Sequence, residues 1–261
     1  MSSTHSVFLM YHELEMEGRP LCQLEPGYVR YILPHATFAK QMAWLKQQGI
    51  DGKSVTQTLD FASHPSVAIT FDDGSETDLI CAAPVLREAG FGATFYITTG
   101  FLGKRGYLST AQLRELDGFG FEIGCHSMTH PYLSDIDQQQ LETEITGAKQ
   151  TLEQLLGHNI GHFSCPGGRY DDRTLETARR AGFRTVATSR YSANSLSTDR
   201  YQLGRVALLR DMNLDEFGEL CRGRGLWKKR ATEVARSTVR NLFGNTIYDR
   251  VRAHVLESRR H

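Results

Sequence analysis

Short apolar blocks alternate with amphipathic stretches along most of this chain, and this alternation is the feature that most restricts its fold. Blocks rich in Phe, Ile, Val or Tyr predict β-strands at residues 7–11, 67–71, 93–98, 121–125, 162–165 and 185–188. Several lack the polar alternation of a half-buried strand, as expected for parallel strands covered on both faces. The order of elements predicts an α/β architecture. The 261 residues suffice for a (β/α) barrel, which typically needs about 250.

The stretches between these strands carry helix start and stop signals. Asp137, with Gln140 three residues later, has the pattern of a capping box. The helix that follows is expected to stop at Gly157, because glycine commonly ends helices. Asp171 is expected to cap another helix, directly after the block at 162–165. These signals support strands and helices in alternation.

Two segments depart from this alternation. Residues 13–34 show no clear periodicity, so we expect a long loop, and loops of that length are usually functional or mobile. After about residue 215 the chain becomes rich in Arg, with a basic cluster at 228–230 and an apolar helix face over 242–251. We therefore predict a barrel over residues 1–215 and a basic helical extension over 216–261, packed on or near the barrel. Two interpretations of this extension stay open: a solvated helix docked on the barrel, or a peripheral contact with a membrane surface or lipid carrier.

Composition excludes several classes of protein. Lys+Arg and Asp+Glu balance at 30 each. The chain as a whole therefore lacks the excess of positive charge that would favour a nucleic-acid partner. The five cysteines are irregularly spaced without a CxxC pair, which favours buried free thiols and a reducing compartment. No apolar run approaches the roughly 20 residues that a membrane span needs, and the first residues lack the pattern of a secretion signal. These observations predict a cytoplasmic protein.

The first chemically informative motif is TFDDG at residues 70–74, where the strand 67–71 ends. Adjacent carboxylates repel each other, and a bound cation would relieve that repulsion. Neighbouring residues near a strand end point in different directions, so Asp73 can bind a metal while Asp72 faces a substrate. The alternative interpretation, a plain Asp-Asp-Gly turn that caps the next helix, is equally compatible with this motif alone.

The second motif is HSMTH, in which His126 and His130 are four residues apart. On one helical turn the two imidazoles would lie on the same face and could share a metal. A lone pair at this spacing is often incidental, but Asp73 also follows a predicted strand, and strand ends of a parallel barrel converge on one face. Two His and one Asp leave coordination positions open, as in catalytic sites. Imidazole plus carboxylate suits Zn²⁺, and Co²⁺ or Ni²⁺ would also fit. Ser127 or Thr129 could hydrogen-bond to a ligating carboxylate or imidazole and fix its orientation.

The third motif is SCPGGRY at residues 164–170. Gly167 and Gly168 can bring backbone N–H groups close to a ligand, where they could stabilise an oxyanion. A plain strand-to-helix turn is an equally good interpretation of this motif by itself.

Taken together, the motifs at 70–74 and 126–130 and the Pro166-Gly167 loop resemble, in order and spacing, the polysaccharide deacetylase (NodB-homology, carbohydrate esterase family 4) superfamily. The FGATFY block at 91–96 also resembles the strand after the family's first helix. The resemblance covers roughly residues 7–214. It implies a distorted (β/α) barrel with a C-terminal helical tail.

The resemblance also implies roles for individual residues. Asp72 would be the general base, and Asp73, His126 and His130 would bind a divalent metal, usually zinc. It further implies substrate-binding and oxyanion roles in the third motif, for Pro166, Gly167 and Tyr170. The activity implied is removal of an N-acetyl group from an amino sugar in a polysaccharide, oligosaccharide or glycan precursor.

The chain departs from the family pattern at two positions. Many members have an Arg where this chain has Ser164, so the tuning of the base is open, and Arg169 is a nearby candidate to compensate. Many members also carry a late Leu-x-x-His motif, which is absent here. The Tyr11-His12 pair resembles the N-terminal element of the poly-N-acetylglucosamine deacetylase branch. We therefore predict His12 as the general acid, against the alternative of a histidine that only packs or hydrogen-bonds at a strand end.

Two other functions compete with a glycan deacetylase. The missing Arg and signal peptide would also suit a deacylase of a small N-acyl compound or of a lipid-linked sugar. A glycan-binding protein without catalysis would be expected to have damaged metal ligands, whereas Asp73, His126 and His130 are intact.

Overall fold

The computed structural model describes residues 5–59, 66–227 and 230–231. Each of the six predicted strands is present and begins and ends within two residues of its expected position. The strands are β1 His5–Tyr11, β2 Leu14–Glu15, β3 Leu33–Pro34, β4 Asp51–Lys53, β5 Ser66–Phe71, β6 Thr94–Ile97, β7 Glu122–Cys125, β8 His162–Ser164, β9 Thr185–Ala187, β10 Asn194–Ser195 and β11 Val206–Ala207.

The helices fill the connections between these strands. They are α1 Pro26–Val29, α2 His35–Gln47, α3 Val55–Leu59, α4 Ala83–Ala89, α5 Thr110–Gly118, α6 Gln138–Glu142, α7 Ala148–Leu156, α8 Asp172–Arg180 and α9 Leu214–Cys221. Asp137 and Asp171 both cap their helices, as predicted. The capping box expected at Asp137 is complete, and Asp171 forms one as well. Gly157 ends α7 in the left-handed conformation, with φ 78°, which glycine adopts without steric cost. Among the described residues, no helix has both the length and the apolar character to cross a lipid bilayer.

A parallel sheet, β1-β5-β6-β7-β8-β9, forms the centre of the fold and curls into a distorted (β/α) barrel. The segment 203–207 lies between the two ends of this sheet. Leu203 bridges to Ala187 of β9, and β11 pairs in parallel with β1. The predicted barrel fold is therefore confirmed, and the short segment that closes it was not anticipated.

Two apolar layers hold this sheet. Outward-facing residues pack against the helices, and stacked aromatic rings run across three neighbouring strands: Tyr11 and Phe71 lie 5.1 Å apart between centroids, and Phe71 and Phe95 lie 4.9 Å apart. Such pairs contribute about 0.5–1.5 kcal/mol beyond their buried area. A smaller cluster, which includes Phe8 and Tyr96, fills the barrel interior. Because Tyr11 and Phe71 directly precede His12 and Asp72, this packing fixes the strand ends that carry the site.

The segment 13–34, which we expected to be a long loop, contains β2, α1 and β3. It is fastened to the barrel, since Thr77 accepts a hydrogen bond from the backbone N–H of Leu14 at 3.0 Å and Arg19 pairs with Glu76 at 2.6 Å. The segment therefore forms an ordered wall of the site, beside the carboxyl ends of β1 and β5.

Helix α9 spans the predicted boundary at residue 215 and packs against α2, where the rings of Trp44 and Phe217 lie 5.7 Å apart. The predicted apolar face at 242–251 lies outside the described residues, as do Lys228 and Lys229 of the basic cluster. The division of the chain at 215 and a membrane contact by the extension stay predictions.

Candidate metal centre and active site

The predicted site residues follow the carboxyl ends of neighbouring parallel strands. His12 follows β1, Asp72 and Asp73 follow β5, and His126 follows β7. His130 is on the same loop as His126, and its ring centroid lies 5.0 Å from that of His126. Parallel strands converge at this end of a barrel, which explains why residues 118 positions apart along the chain (12 to 130) meet here.

Asp73, His126 and His130 come together as the sequence predicted. Asp73 Oδ1 lies 3.5 Å from His126 Nε2 and 3.3 Å from His130 Nε2, and one donor atom from each of the three residues lies within 4.8 Å of the others. Asp73 Oδ1 is buried and has no hydrogen-bond partner among the described residues. The other carboxylate oxygen, Oδ2, accepts a hydrogen bond from Tyr28 at 3.0 Å. One carboxylate oxygen and two imidazole nitrogens therefore face a common point.

The protonation of His126 suits metal binding. Its Nδ1 lies 2.9 Å from the carbonyl oxygen of Ser164, and because a carbonyl can only accept, Nδ1 carries the proton and Nε2 keeps its lone pair. Burial lowers the pKa of His126 to about 4, even though the charge of Asp72 acts in the opposite direction. A neutral imidazole with a free Nε2 is the form that binds Zn²⁺. The donor set and the unpartnered oxygen both fit a divalent ion.

The local structure of the histidine motif differs from the prediction. His126 and His130 lie on an irregular loop, not on a helical turn. Ser127 and His130 have positive φ angles of 65° and 67°, and so does Asp73, at 80°. Left-handed residues other than glycine cost about 1–3 kcal/mol each and concentrate at functional sites. In a helix, a spacing of four residues brings two side chains together. Here a tight turn in the loop brings the two imidazoles together instead.

The buried partner of Asp72 is Arg205, which the sequence analysis missed. Arg205 donates from Nη1 to Asp72 Oδ1 at 2.7 Å and from Nη2 to Oδ2 at 2.8 Å. Arg205 is 0% exposed and Asp72 is 2% exposed. Burial alone would raise the pKa of Asp72, but the charge and hydrogen bonds of Arg205, with the charge of His126, hold it well below its usual range. Asp72 is therefore an ionised carboxylate at neutral pH.

His12 lies beside this pair and against the wall formed by residues 13–34. Its ring centroid is 5.2 Å from that of Tyr31 and 6.1 Å from that of Tyr28. Its Nδ1 is buried without a hydrogen-bond partner among the described residues. Burial lowers the pKa of His12, while the charges of Asp73 and Asp72 raise it. The structure thus brings His12 to the site, and its role as an acid stays a prediction.

Comparison with known proteins agrees with this geometry. The sequence pattern of the polysaccharide deacetylase family matches residues 62–186. YxkH of Bacillus subtilis, assigned provisionally as a polysaccharide deacetylase, is 29% identical over 216 residues, which cover 80% of this chain and 74% of YxkH. A peptidoglycan-N-acetylglucosamine deacetylase of Bacillus cereus is 35% identical over 124 residues, which cover 47% of this chain and 56% of that enzyme. The structure of Streptococcus pyogenes deacetylase PplD, in complex with acetate, superimposes with a TM-score of 0.73 and 25% identity, covering 82% of this chain and 97% of PplD.

The chain is similar to the polysaccharide deacetylase superfamily, in sequence over residues 62–186 and in fold over most of its length. This confirms the family recognised from the three motifs and, with it, the deacetylase class of hydrolase.

The departure from the family pattern at Ser164 has a structural explanation. Arg169, which we considered as the compensating residue, lies over the ring of Tyr132 at 3.7 Å, whereas the two-pronged contact with Asp72 comes from Arg205. Arg205 reaches Asp72 from the segment that closes the barrel, and its Nη2 also donates to Ser164 Oγ at 2.7 Å. The small Ser164 side chain leaves room for the guanidinium of Arg205, which lies just before β11. Asp72 therefore has a cationic partner. Against the effect of burial, Arg205 contributes most among the residues that lower the pKa of this carboxylate.

The third motif forms a 3₁₀ turn over Pro166–Gly168 beside the site. Gly167 has φ 59°, and a Cβ there would lie 3.0 Å from the ring of Tyr132. Tyr170 is partly buried against the core. These positions agree with a close approach of backbone to substrate, and the oxyanion and substrate-binding roles of Pro166, Gly167 and Tyr170 stay predictions.

The cysteines next to the site are structural. All five cysteines are free thiols, and burial raises the pKa of Cys125 to about 12. Cys125 packs within the apolar core, as expected for a buried free thiol.

One signal in the sequence could have revealed Arg205. It is a charged residue inside the apolar stretch LGRVALL at 203–209, and a charge placed among apolar residues is rarely buried without a partner. By contrast, Tyr28 lies in a segment without periodicity, and nothing in its surroundings distinguishes it.

Proposed function

We propose that this protein is a metal-dependent hydrolase that removes the N-acetyl group from an N-acetylated amino sugar in a glycan or glycan precursor. The observation that carries the proposal is the convergence of Asp73 Oδ1, His126 Nε2 and His130 Nε2 beside the buried Asp72–Arg205 pair. The names of related proteins support the reaction class, since one is a peptidoglycan-N-acetylglucosamine deacetylase and another a chitooligosaccharide deacetylase.

Asp73, His126 and His130 would hold the metal, with Zn²⁺ as the first candidate. A divalent ion at such a site supplies Lewis-acid chemistry, because it polarises the acyl carbonyl and acidifies water. Three protein ligands match the number found in catalytic zinc sites.

Asp72 acts as the general base. It is ionised and buried, and both of its oxygens are oriented by Arg205, so it can accept the proton of the attacking water in a fixed direction. The low pKa makes Asp72 a weak base, and it keeps the carboxylate ionised at neutral pH. Pro166–Gly168 supplies the backbone that would face the developing oxyanion.

His12 donates the proton to the departing amine. Burial lowers the pKa of His12 and favours the neutral imidazole. Negative charge that develops on the reacting acyl group would raise this pKa and favour the protonated form. Its Nδ1 is buried and has no hydrogen-bond partner in the part of the chain that the structure describes, so it is available to exchange a proton.

Aromatic side chains near the site favour a sugar over a small apolar substrate. Tyr31 lies beside His12, and the ring of Phe101 stacks near His130 with centroids 6.1 Å apart and contacts Tyr107 at 4.7 Å. All three side chains are partly exposed. Flat apolar faces next to polar groups are typical of pockets that orient a ring-shaped ligand.

The experiment is release of acetate from a panel of N-acetylated glycans, measured on purified protein of known metal content. The panel contains polymer, oligosaccharide, free N-acetyl sugar and lipid-linked sugar. We expect release from at least one glycan, loss of release after chelation and recovery with Zn²⁺. Release only from a small N-acyl compound or a lipid-linked sugar would favour that alternative, and glycan binding without release in metal-loaded protein would contradict the proposal.

A further inference from the structure

The loop 126–130 that carries both histidine ligands is held in an uncommon backbone conformation. Two of its non-glycine residues, Ser127 and His130, are left-handed, so the loop does not hold its shape by backbone preference alone. The hydroxyl of Ser127 accepts a hydrogen bond from the backbone N–H of His130 at 3.0 Å, which closes the turn from within. The separation of the two imidazoles depends on whatever holds the rest of this loop.

Glu144 holds the middle of the loop from one side. Its Oε2 accepts hydrogen bonds from the backbone N–H groups of Met128 at 2.9 Å and Thr129 at 2.8 Å, and its Oε1 accepts from the Thr129 hydroxyl at 2.5 Å. The Glu144 side chain is buried, with the residue 7% exposed. Burying a carboxylate is costly unless it is fully hydrogen-bonded, and these three donors come entirely from the metal loop.

The segment after β6 holds the loop from the other side. The N–H of Gly100 donates to the carbonyl oxygen of Met128 at 2.8 Å, and the N–H of Thr99 donates to the carbonyl oxygen of Ser127 at 3.2 Å. A Cβ at Gly100 would lie 2.6 Å from the Met128 oxygen, so the contact requires glycine. The loop is therefore clamped between residues 99–100 and Glu144.

The helix that carries Glu144 is locally distorted. Thr143–Gly147 forms a π-helical turn between α6 and α7. Single π-turns within helices are uncommon and frequently occur at functional sites. Here the distorted turn contains the residue whose carboxylate meets the metal loop.

We propose that Glu144 is a positioning residue for the metal centre, which shapes the loop 126–130 so that His126 and His130 face a common ion before the ion binds. The inference rests on the metal site of the proposed function. Glu144 is not itself a ligand, and it acts by accepting hydrogen bonds from two backbone N–H groups and one hydroxyl of the loop. Outer partners of this kind typically contribute about 10- to 100-fold to metal affinity.

The test compares Zn²⁺ affinity, by competition with a chromophoric chelator, with thermal unfolding of the metal-free protein, in Glu144→Ala and Glu144→Gln. We expect Glu144→Ala to bind Zn²⁺ about 10- to 100-fold more weakly. Glu144→Gln should stay within about threefold of wild type, because its carbonyl can accept both N–H groups and its amide can donate to the Thr129 hydroxyl. Glu142→Ala is the matched control, since Glu142 lies on the same helix and pairs with Arg180 at the surface.

A Glu144→Ala protein that is less stable when metal-free but binds Zn²⁺ as tightly as wild type would overturn the inference, because Glu144 would then only support the fold. If Glu144→Ala does not fold, Thr129→Val removes one of the three donors and should weaken Zn²⁺ binding by about threefold to tenfold; unchanged affinity in that variant would likewise reject the role. Failure of the wild-type protein to bind Zn²⁺ would instead contradict the proposed metal site.

Discussion

Two clusters of buried ionisable side chains lie at opposite ends of the same parallel sheet, and they differ in whether their polar atoms are satisfied. At the amino ends of the strands, Glu122 accepts hydrogen bonds from Thr94 at 2.5 Å and from the backbone N–H of Thr56 at 3.2 Å, and it lies 3.4 Å from His162. Both ring nitrogens of His162 have hydroxyl partners, Thr56 and Thr185, at 2.8 Å. This closed network needs no further ligand.

At the carboxyl ends the network is open. Asp73 Oδ1 and His12 Nδ1 are buried without hydrogen-bond partners among the described residues. Leaving such groups unpaired costs about 1–3 kcal/mol each. Burial and charge alone therefore do not identify a site. Both clusters have them, but of the two, as far as the structure describes the chain, only the open cluster leaves buried polar atoms without a partner. We expect changes at the open end to alter chemistry and changes at the closed end to alter stability.

The largest expected effect is on the rate of Asp72→Asn. Loss of the general base should lower kcat by about 100- to 10,000-fold, while metal content stays near wild type because Asp73, His126 and His130 are unchanged. Steady-state acetate release and metal analysis on the same preparation measure both quantities. Near-normal turnover would remove Asp72 from its role.

His12→Ala should lower kcat by about 100-fold or more through loss of the general acid, again with metal retained. His162→Gln is the matched control, since it changes a buried histidine at the closed end and should leave kcat unchanged. A His12→Ala enzyme with the wild-type rate across the pH range would show that His12 only packs at the strand end.

Arg205→Lys should lower kcat by about 10- to 100-fold, because lysine cannot reproduce the two-pronged contact with Asp72. Weaker hydrogen bonding should also raise the pKa of Asp72. Since Asp72 must be ionised to accept a proton, activity should fall off at a higher pH on the acid side than in wild type. Arg169→Lys is the control, and a pH–rate profile of kcat distinguishes the two variants. An unchanged acid limb in Arg205→Lys would separate Arg205 from the base.

The smallest expected effect on rate is that of Glu122→Gln at the closed end, which should leave kcat near wild type and change stability with pH. Burial by itself raises the pKa of Glu122, but the hydrogen bond and charge of His162 and the hydrogen bonds of Thr56 and Thr94 lower it to about 2, from the usual 4.5. A depressed pKa contributes stability above about pH 4.5 that is lost as the pH falls toward 2.

Wild type should therefore exceed Glu122→Gln in unfolding free energy by on the order of 3 kcal/mol at pH 7, and the difference should shrink between pH 4.5 and 2. Urea unfolding at several pH values measures this. A constant difference across that range would show that Glu122 is not the titrating group.

The sequence made the strands and the principal site residues predictable for a physical reason. Buried parallel strands need continuous apolar blocks, and the polar residues that follow them necessarily meet at one end of a barrel. The sequence shows which polar residues follow an apolar block, and these include Asp72, Asp73, His126 and His12. Their position after a strand was therefore enough to predict that they meet at the site.

The residues that the sequence did not reveal reach the site through less regular structure. Arg205 lies in the segment 203–207, which is too short to read as a strand, and its partner Asp72 is 133 positions away. Glu144 meets the metal loop at Met128 and Thr129, in a loop that is left-handed at the non-glycine residues Ser127 and His130. The four-residue histidine spacing suggested a helical turn, because a helix is the common way to bring such residues together and loop geometry cannot be read from spacing.

The proposed function depends on the binding of one divalent ion by Asp73, His126 and His130. X-ray diffraction from crystals grown with Zn²⁺, with anomalous data collected on both sides of the zinc absorption edge, tests it most directly. We expect one strong anomalous peak within about 2.0–2.2 Å of Asp73 Oδ1, His126 Nε2 and His130 Nε2. No peak at this position, or a zinc ion bound by other residues with these three side chains apart, would contradict it.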